Sequence, residues 1–198
     1  MKLFYASASP YSAKVRMGAA VAGIKIEAIT TNTANEPADL LAANPLGKIP
    51  SLITKDGLAV FDSRTIMQYL DRVGSQKLYP RNAAKRTDAE IIEALCDGIC
   101  DSLLQVVYEG RYRPEELAYK PWVDKQWAKA MRGLDHLETR IPRLGKVPTN
   151  AHLAIAALTG YLNLRFSGKW ERGRPKLKAF SKKFDTAFPD LAALRPAA

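Results

Sequence analysis

One stretch limits the possible folds more than any other. TNAHLAIAALTGYLNLRF, residues 149–166, is apolar almost all the way round a helix. A surface helix keeps one polar face for water, so a helix without one belongs at the centre of a bundle, wrapped by other helices. The sequence supplies the wrapping. DAEIIEALCDGICDSLLQVVYEGRY sets Ile92, Leu95, Ile99, Leu103 and Val106 along one stripe, and KPWVDKQWAKAMRGLDHLETRI repeats the pattern. From Thr87 onward the chain reads as helical throughout.

The earlier part is patterned differently. KLFYA reads as a strand, and SPYSAKVRMGAAVAG as a helix with Ser9 as N-cap, Pro10 at its first position and Gly23 past its end. IKIEAITT is a second strand, and NEPADLLAANP holds a short helix that stops near Asn44 and Pro45. SLIT and LAVF, separated by KDG, make a hairpin, and DSRTIMQYLDRVG is a helix opened by Asp62 or Ser63. The order βαβαββα makes the first two strands parallel and the last two antiparallel, in a mixed sheet with helices on both faces. Expected are an α/β N-terminal domain over 1–76, a linker over 77–86 and an all-α helical-bundle C-terminal domain over 87–198.

With 198 residues the chain can bury two modest cores. MKLFYASASP holds no long apolar run and no cleavage pattern, so neither signal peptide nor membrane span is expected, and the location is taken as cytoplasmic. Cys96 and Cys100 are the only cysteines; they stand four apart in LCDGIC, without redox spacing, and read as buried thiols. His136 and His152 are isolated, so no metal set assembles. The net charge of +10 would suit a polyanion. It is concentrated, however, in GKWERGRPKLKAFSKKF (168–184), where Leu177, Phe180 and Phe184 recur at helical spacing. That is a surface helix with a basic face, and a nucleic-acid partner is not expected.

Three motifs in this order, SPYSAKVR after strand one, NPLGKIPSL before strand three and FDSRTIMQYL after strand four, resemble the cytosolic glutathione transferases, and among them bacterial members of the serine-type or related groups. The buried helix TNAHLAIAALTGYLNLRF resembles that of the family's second domain. The resemblance implies a thioredoxin-like N-terminal domain, a homodimer, and glutathione as co-substrate with no permanently bound cofactor. Pro50 has no N–H to give a ladder, which on its own marks a strand boundary. The resemblance implies a cis Ile49–Pro50 bond, with Ile49 offering its N–H and C=O to the cysteinyl unit as an added strand would. It further implies that Ser63 holds the γ-glutamyl carboxylate, with Asp62 beside the α-amino group and Lys48 at the glycine carboxylate. A helix N-terminus suits an anion, although Asp and Ser are also ordinary caps.

The chemistry needs a thiolate, and a free thiol with a pKa of about 8.5 is only slightly ionised at neutral pH. A hydroxyl directed at the sulfur near a helix N-terminus favours the anion. Ser9 is the first choice, with Ser12 and Tyr5 as alternatives. No cysteine stands in this region, which argues against mixed-disulfide chemistry. Lys14 and Arg16 either add positive potential or face water. The resemblance places the pocket for a small hydrophobic electrophile between the domains, with Tyr11, Tyr108, Tyr112 and Trp122 as wall residues. The implied activity is conjugation in detoxification, with peroxidase or isomerase use of the same thiolate open; a non-catalytic binding or regulatory module with protein partners is the alternative. One departure stands out. The family's buried helix opens with Ser or Thr and then Asp three residues on, whereas here His152 follows Thr149. The weaker reciprocal cap is expected to cost about 1 kcal/mol.

Overall fold

Strands β1 (Lys2–Tyr5), β2 (Glu27–Thr30), β3 (Ser51–Ile53) and β4 (Ala59–Val60) form one mixed sheet in the order β2-β1-β3-β4. The computed structural model describes residues 1–75 and 77–198; Gln76, the expected end of the N-terminal unit, lies outside the described residues. Helix α1 (Pro10–Val21) carries the chain from β1 to a parallel β2, with Leu3 opposite Ala28, while β3 runs antiparallel to both β1 and β4. Helices α2 (Ala38–Ala43) and α3 (Ser63–Val73) complete the thioredoxin-like arrangement. Gly18 lets α1 and α3 meet closely: a Cβ there would stand 2.5 Å from the Met67 sulfur.

The helical part contains α4 (Ala83–Tyr112), α5 (Lys120–Glu138), α6 (Asn150–Phe166), α7 (Pro175–Ala187) and the short α8 (Pro189–Ala192). Every residue of α6 from Asn150 to Leu162 is buried, which satisfies the demand of its apolar surface. It packs against α4 on one side and α1 on the other, joining the bundle to the sheet layer.

Two boundaries differ from the sequence pattern. Helix α4 begins at Ala83, inside the expected linker, because the Asn82 side chain accepts the Lys85 N–H at 3.1 Å and caps it there. Helix α7 begins only at Pro175, because Arg174 before it is buried, donates to the Met131 carbonyl at 3.3 Å and pairs with Asp135 at 2.7 Å. Beyond that point Leu177, Phe180 and Phe184 face inward as their spacing requires.

The opening of α6 corrects the expected weak cap. His152 Nδ1 accepts the Thr149 N–H at 3.0 Å, and its Nε2 lies 3.1 Å from the Arg143 carbonyl. Both bonds are made by a neutral ring with its proton on Nε2, so the imidazole fills the reciprocal role normally given to an acid. Its ring stacks on Phe180, with centroids 6.2 Å apart. Burial lowers the His152 pKa below its usual 6.5, against the opposing effect of the Arg143 carbonyl. The unfolded chain therefore takes up this proton at a higher pH than the folded chain does. The stabilising contribution is complete above the unfolded value of 6.5 and is lost as pH falls through the folded value. Chemical denaturation across this range should show stability falling by about 1 kcal/mol as the ring protonates. His152→Gln, which keeps an acceptor at the third helical position, should remove that part of the pH dependence.

Candidate active site

Helix α1 starts beside the end of β1, and its N-cap, Ser9, lines a cleft. Ser9 Oγ accepts the Ser12 N–H at 3.2 Å, an unpaired donor of the first helical turn. The bond uses an oxygen lone pair and leaves the Ser9 proton available to a partner in the adjacent cleft. That cleft, of about 690 Å³, lies between the sheet layer and helices α4 and α6. Its volume is in the range of small-molecule sites.

Opposite Ser9 runs the loop 44–50. Asn44, buried, donates to the Lys48 carbonyl at 3.0 Å and to Ser51 Oγ at 3.2 Å, while its own oxygen accepts the Leu46 N–H at 3.1 Å. Ser51 Oγ also donates to the Lys48 carbonyl at 2.8 Å. These bonds hold the loop from within, so that Lys48, Ile49 and Pro50 all line the cleft. The Ile49–Pro50 bond is cis. Further along the same wall α3 begins: Asp62 Oδ1 caps it by accepting the Arg64 N–H at 3.0 Å. Ser63, the first helical residue and 4% exposed, is on the cleft with its backbone N–H at the positive end of the helix.

Beneath the cleft lies a cluster of charges. Lys14, on α1 and 1% exposed, sits with its Nζ 3.0 Å from Glu93 and 2.7 Å from Asp97, both on α4. Burial alone would lower its pKa, but the two carboxylates outweigh that and hold the ammonium charged, with the pKa raised. Arg64 Nε pairs with Asp97 at 2.9 Å, and Glu93 accepts from the Tyr79 hydroxyl at 2.8 Å and from Asn150 Nδ2 at 2.9 Å. On the helical wall stand Leu104, Tyr108, Arg111, Tyr161 and Arg165. Tyr11 reaches across from α1, its hydroxyl donating to Asp101, and burial with that bond pushes its phenol above the ordinary range.

Residues 8–73 match the family model of the glutathione S-transferase N-terminal domain. The uncharacterized GST-like protein YibF of Escherichia coli K12 is 34% identical over 183 residues, covering 89% of this chain and 90% of its own. The chain belongs to the glutathione S-transferase family. Among solved structures, a family member from Pseudomonas fluorescens Pf-5 with bound glutathione aligns at TM-score 0.90 and 33% identity, over 100% of this chain and 99% of its own. A glutathione S-transferase from Methylobacillus flagellatus with bound glutathione aligns at 0.87 and 32%, over 96% and 98%.

Of the residues expected at a transferase site, Ser9, Tyr11, Lys48, Ile49, Pro50, Asp62, Ser63 and Tyr108 all line one cleft. The others lie elsewhere. Ser12 is wholly buried, facing the interior. Tyr5 is covered by the Arg16 guanidinium, 4.7 Å from its ring centroid, and its hydroxyl lies 3.3 Å from Thr30 Oγ1. Tyr112 is exposed beyond the cleft, edge-on to Tyr108. Trp122 borders a separate, shallower depression with Glu109, Arg113 and Tyr119. Sequence reasoning missed Asn44, Arg64, Glu93, Asp97 and Asp101, and with them the arginines of the helical wall. The usable signal was Lys14 between Ala13 and Val15, a charge inside an apolar stretch, facing the Glu93–Asp97 pair one turn apart on α4.

Removing the ammonium takes from two buried carboxylates their one buried counter-charge, leaving Asp97 to Arg64 and Glu93 to the neutral Tyr79 and Asn150. Lys14→Met should therefore lose about 3–5 kcal/mol of stability in urea denaturation. Asp97→Asn, which leaves Lys14 paired with Glu93, should cost less.

Proposed function

We propose that the protein is a glutathione transferase: it binds glutathione along loop 47–50 and the start of α3, stabilises its thiolate at Ser9, and delivers the sulfur to an electrophile held against α4 and α6. The observation that carries this is the convergence of the Ser9 hydroxyl, the Ile49 backbone and the Ser63 helix N-terminus on a single cleft. The glutathione bound in the relatives from Methylobacillus and Pseudomonas supports it. In this arrangement Ile49 pairs with the cysteinyl backbone, Ser63 receives the γ-glutamyl carboxylate, Asp62 lies by the α-amino group, and Lys48 meets the glycine carboxylate. The first unit, ending near residue 76, carries the tripeptide; the helical unit carries the acceptor. Glutathione enters as co-substrate, in a cytoplasmic homodimer whose role is detoxification.

The chemistry follows from the hydroxyl. Lowering the thiol pKa by about two units requires roughly 2.7 kcal/mol of preferential thiolate stabilisation. Ser9 donates its proton to the sulfur while its oxygen accepts from the Ser12 N–H, and each bond polarises the other. With the α1 dipole added, the total reaches the required size. The thiol proton passes to water, a sulfur–carbon bond forms, and the displaced pair leaves with a leaving group or settles on an adjacent carbon that is then protonated. A non-catalytic module has no need for a hydroxyl and an anion site facing one open cleft, so that alternative is less well supported.

Ser9→Ala should retain glutathione affinity but lose the ultraviolet absorbance of bound thiolate at neutral pH. Its kcat/KM should fall on the order of 10- to 100-fold, following the loss of one to two pKa units. An unchanged thiol pKa in this variant would remove Ser9 from the role. Failure of folded protein to bind millimolar glutathione would return the non-catalytic alternative.

A further inference from the structure

The acids and bases of the cleft are unevenly matched. Asp97 is taken by Lys14 and Arg64, and Asp101 accepts from Tyr11. Among the described residues no ion pair includes Arg111 or Arg165, although both stand on the cleft. Arg111 is in the last turn of α4, its Cζ 5.6 Å from the Tyr108 ring centroid; Arg165 is in the last turn of α6. The Tyr161 hydroxyl lies within the field of both. Burial pushes its pKa up to about 12, and the two guanidinium groups oppose that rise. Two unpaired cations thus flank Leu104, Tyr108 and Tyr161, on a wall that also carries Gln105 and, where α4 meets α1, the already engaged Asp97 and Asp101.

Glutathione itself leaves them unused. In the binding mode proposed above, its two carboxylates fall at Ser63 and Lys48, both on the sheet side of the cleft. A guanidinium facing a binding site is suited to a carboxylate, which it can grip with two parallel bonds. We propose that the acceptor substrate of this transferase is an electrophile bearing a carboxylate on an apolar body, with Arg111 and Arg165 as the residues that select it. This rests on the glutathione-binding role proposed above and replaces the plain hydrophobic acceptor expected from the sequence. The apolar body lies against Tyr108 and Leu104, the carboxylate reaches the two guanidinium groups, and the reactive carbon is left toward Ser9.

A matched pair of acceptors tests it: 4-chloro-3-nitrobenzoate and its amide, 4-chloro-3-nitrobenzamide. With either, the thiolate sulfur bonds to the ring carbon bearing chlorine, the carbon–chlorine bond breaks, and chloride departs with its electron pair. The thiol proton has already gone to water, and nothing is oxidised or reduced. Binding of plain glutathione and of the two purified glutathione conjugates is measured by calorimetry at low salt, alongside turnover corrected for each uncatalysed rate.

The benzoate conjugate should bind about tenfold more tightly than the benzamide conjugate, and the corrected kcat/KM ratio should favour the benzoate likewise. Arg111→Gln and Arg165→Gln should each narrow the gap, the double variant should abolish it, and Arg165→Lys should keep part of it. Both arginines are exposed, so the substitutions remove charge without opening the core. Equal affinity for the two conjugates, or a preference that survives the double variant, would overturn the proposal. So would variants that weaken plain glutathione as much as the benzoate conjugate, because the arginines would then hold the tripeptide. If folded protein binds neither glutathione nor either conjugate, the transferase role itself fails and this proposal falls with it.

Discussion

An ammonium group with almost no access to water, held between Glu93 and Asp97, ties together the parts of the molecule that matter for chemistry. Helix α1 brings Ser9 and Tyr11 to the cleft, and α4 brings Asp101 and Tyr108. The Lys14 cluster fixes one helix against the other, and through Arg64 it also reaches the start of α3. Burying three such charges costs several kcal/mol per ion before any return, and pairing at 2.7–3.0 Å with further bonds from Tyr79 and Asn150 offsets that cost. A set of apolar side chains could hold the same helices together. It would not impose the directional bonds that place one helix relative to the other, and placement is what a two-walled site requires.

The two walls use different physics. On the sheet side the proposed contacts draw on backbone groups, presented by a loop that Asn44 and Ser51 hold from behind and by an N-terminus whose donors have no partner within the helix. Such groups suit a peptide, because every peptide presents the same donors and acceptors. On the helical side the groups are side chains, spaced along α4 and α6, and they differ in charge and shape. In the proposed binding mode the constant co-substrate is thus met by the constant part of the polypeptide, and the acceptor by the variable part.

That division also explains what could be read in the sequence. The sheet order and the central position of α6 followed from periodicity, because strand and helix patterns are local. Ile49, Pro50, Asp62 and Ser63 came from the family resemblance instead, because a proline at a strand boundary and an Asp-Ser cap are by themselves ordinary local features. Tyr108 and Tyr112 were not separable. They share a helix face at four-residue spacing, and only the path of α4 past the edge of the cleft puts one on the wall and the other outside it. Lys14 was legible as an oddly placed charge, but not as a buried ion pair. Its partners lie about eighty residues away in sequence, and a buried paired lysine has the same letter as a solvated one. His152 deceived in the opposite direction, since an imidazole accepts an N–H as a carboxylate does when its other nitrogen carries the proton.

The net charge of +10 has a similar resolution. As a sum it points outward, to polyanions; as a distribution a part of the positive charge points inward. Lys14 is spent on two carboxylates, and Arg174 on Asp135 and the Met131 carbonyl. Arg195 pairs with Asp185 while donating to Ala156, Thr159 and Ser181, fastening the C-terminal segment over α6. What remains on α7 is a dispersed solvated face, whose attraction for anions fades over about 8 Å at physiological salt. Arg111 and Arg165 differ from both groups, being neither used in the fold nor dispersed on a free surface. Between cleft walls a guanidinium acts more strongly on a bound anion than it could across open water. For function, then, two cations in a cleft outweigh a larger number spread over the exterior.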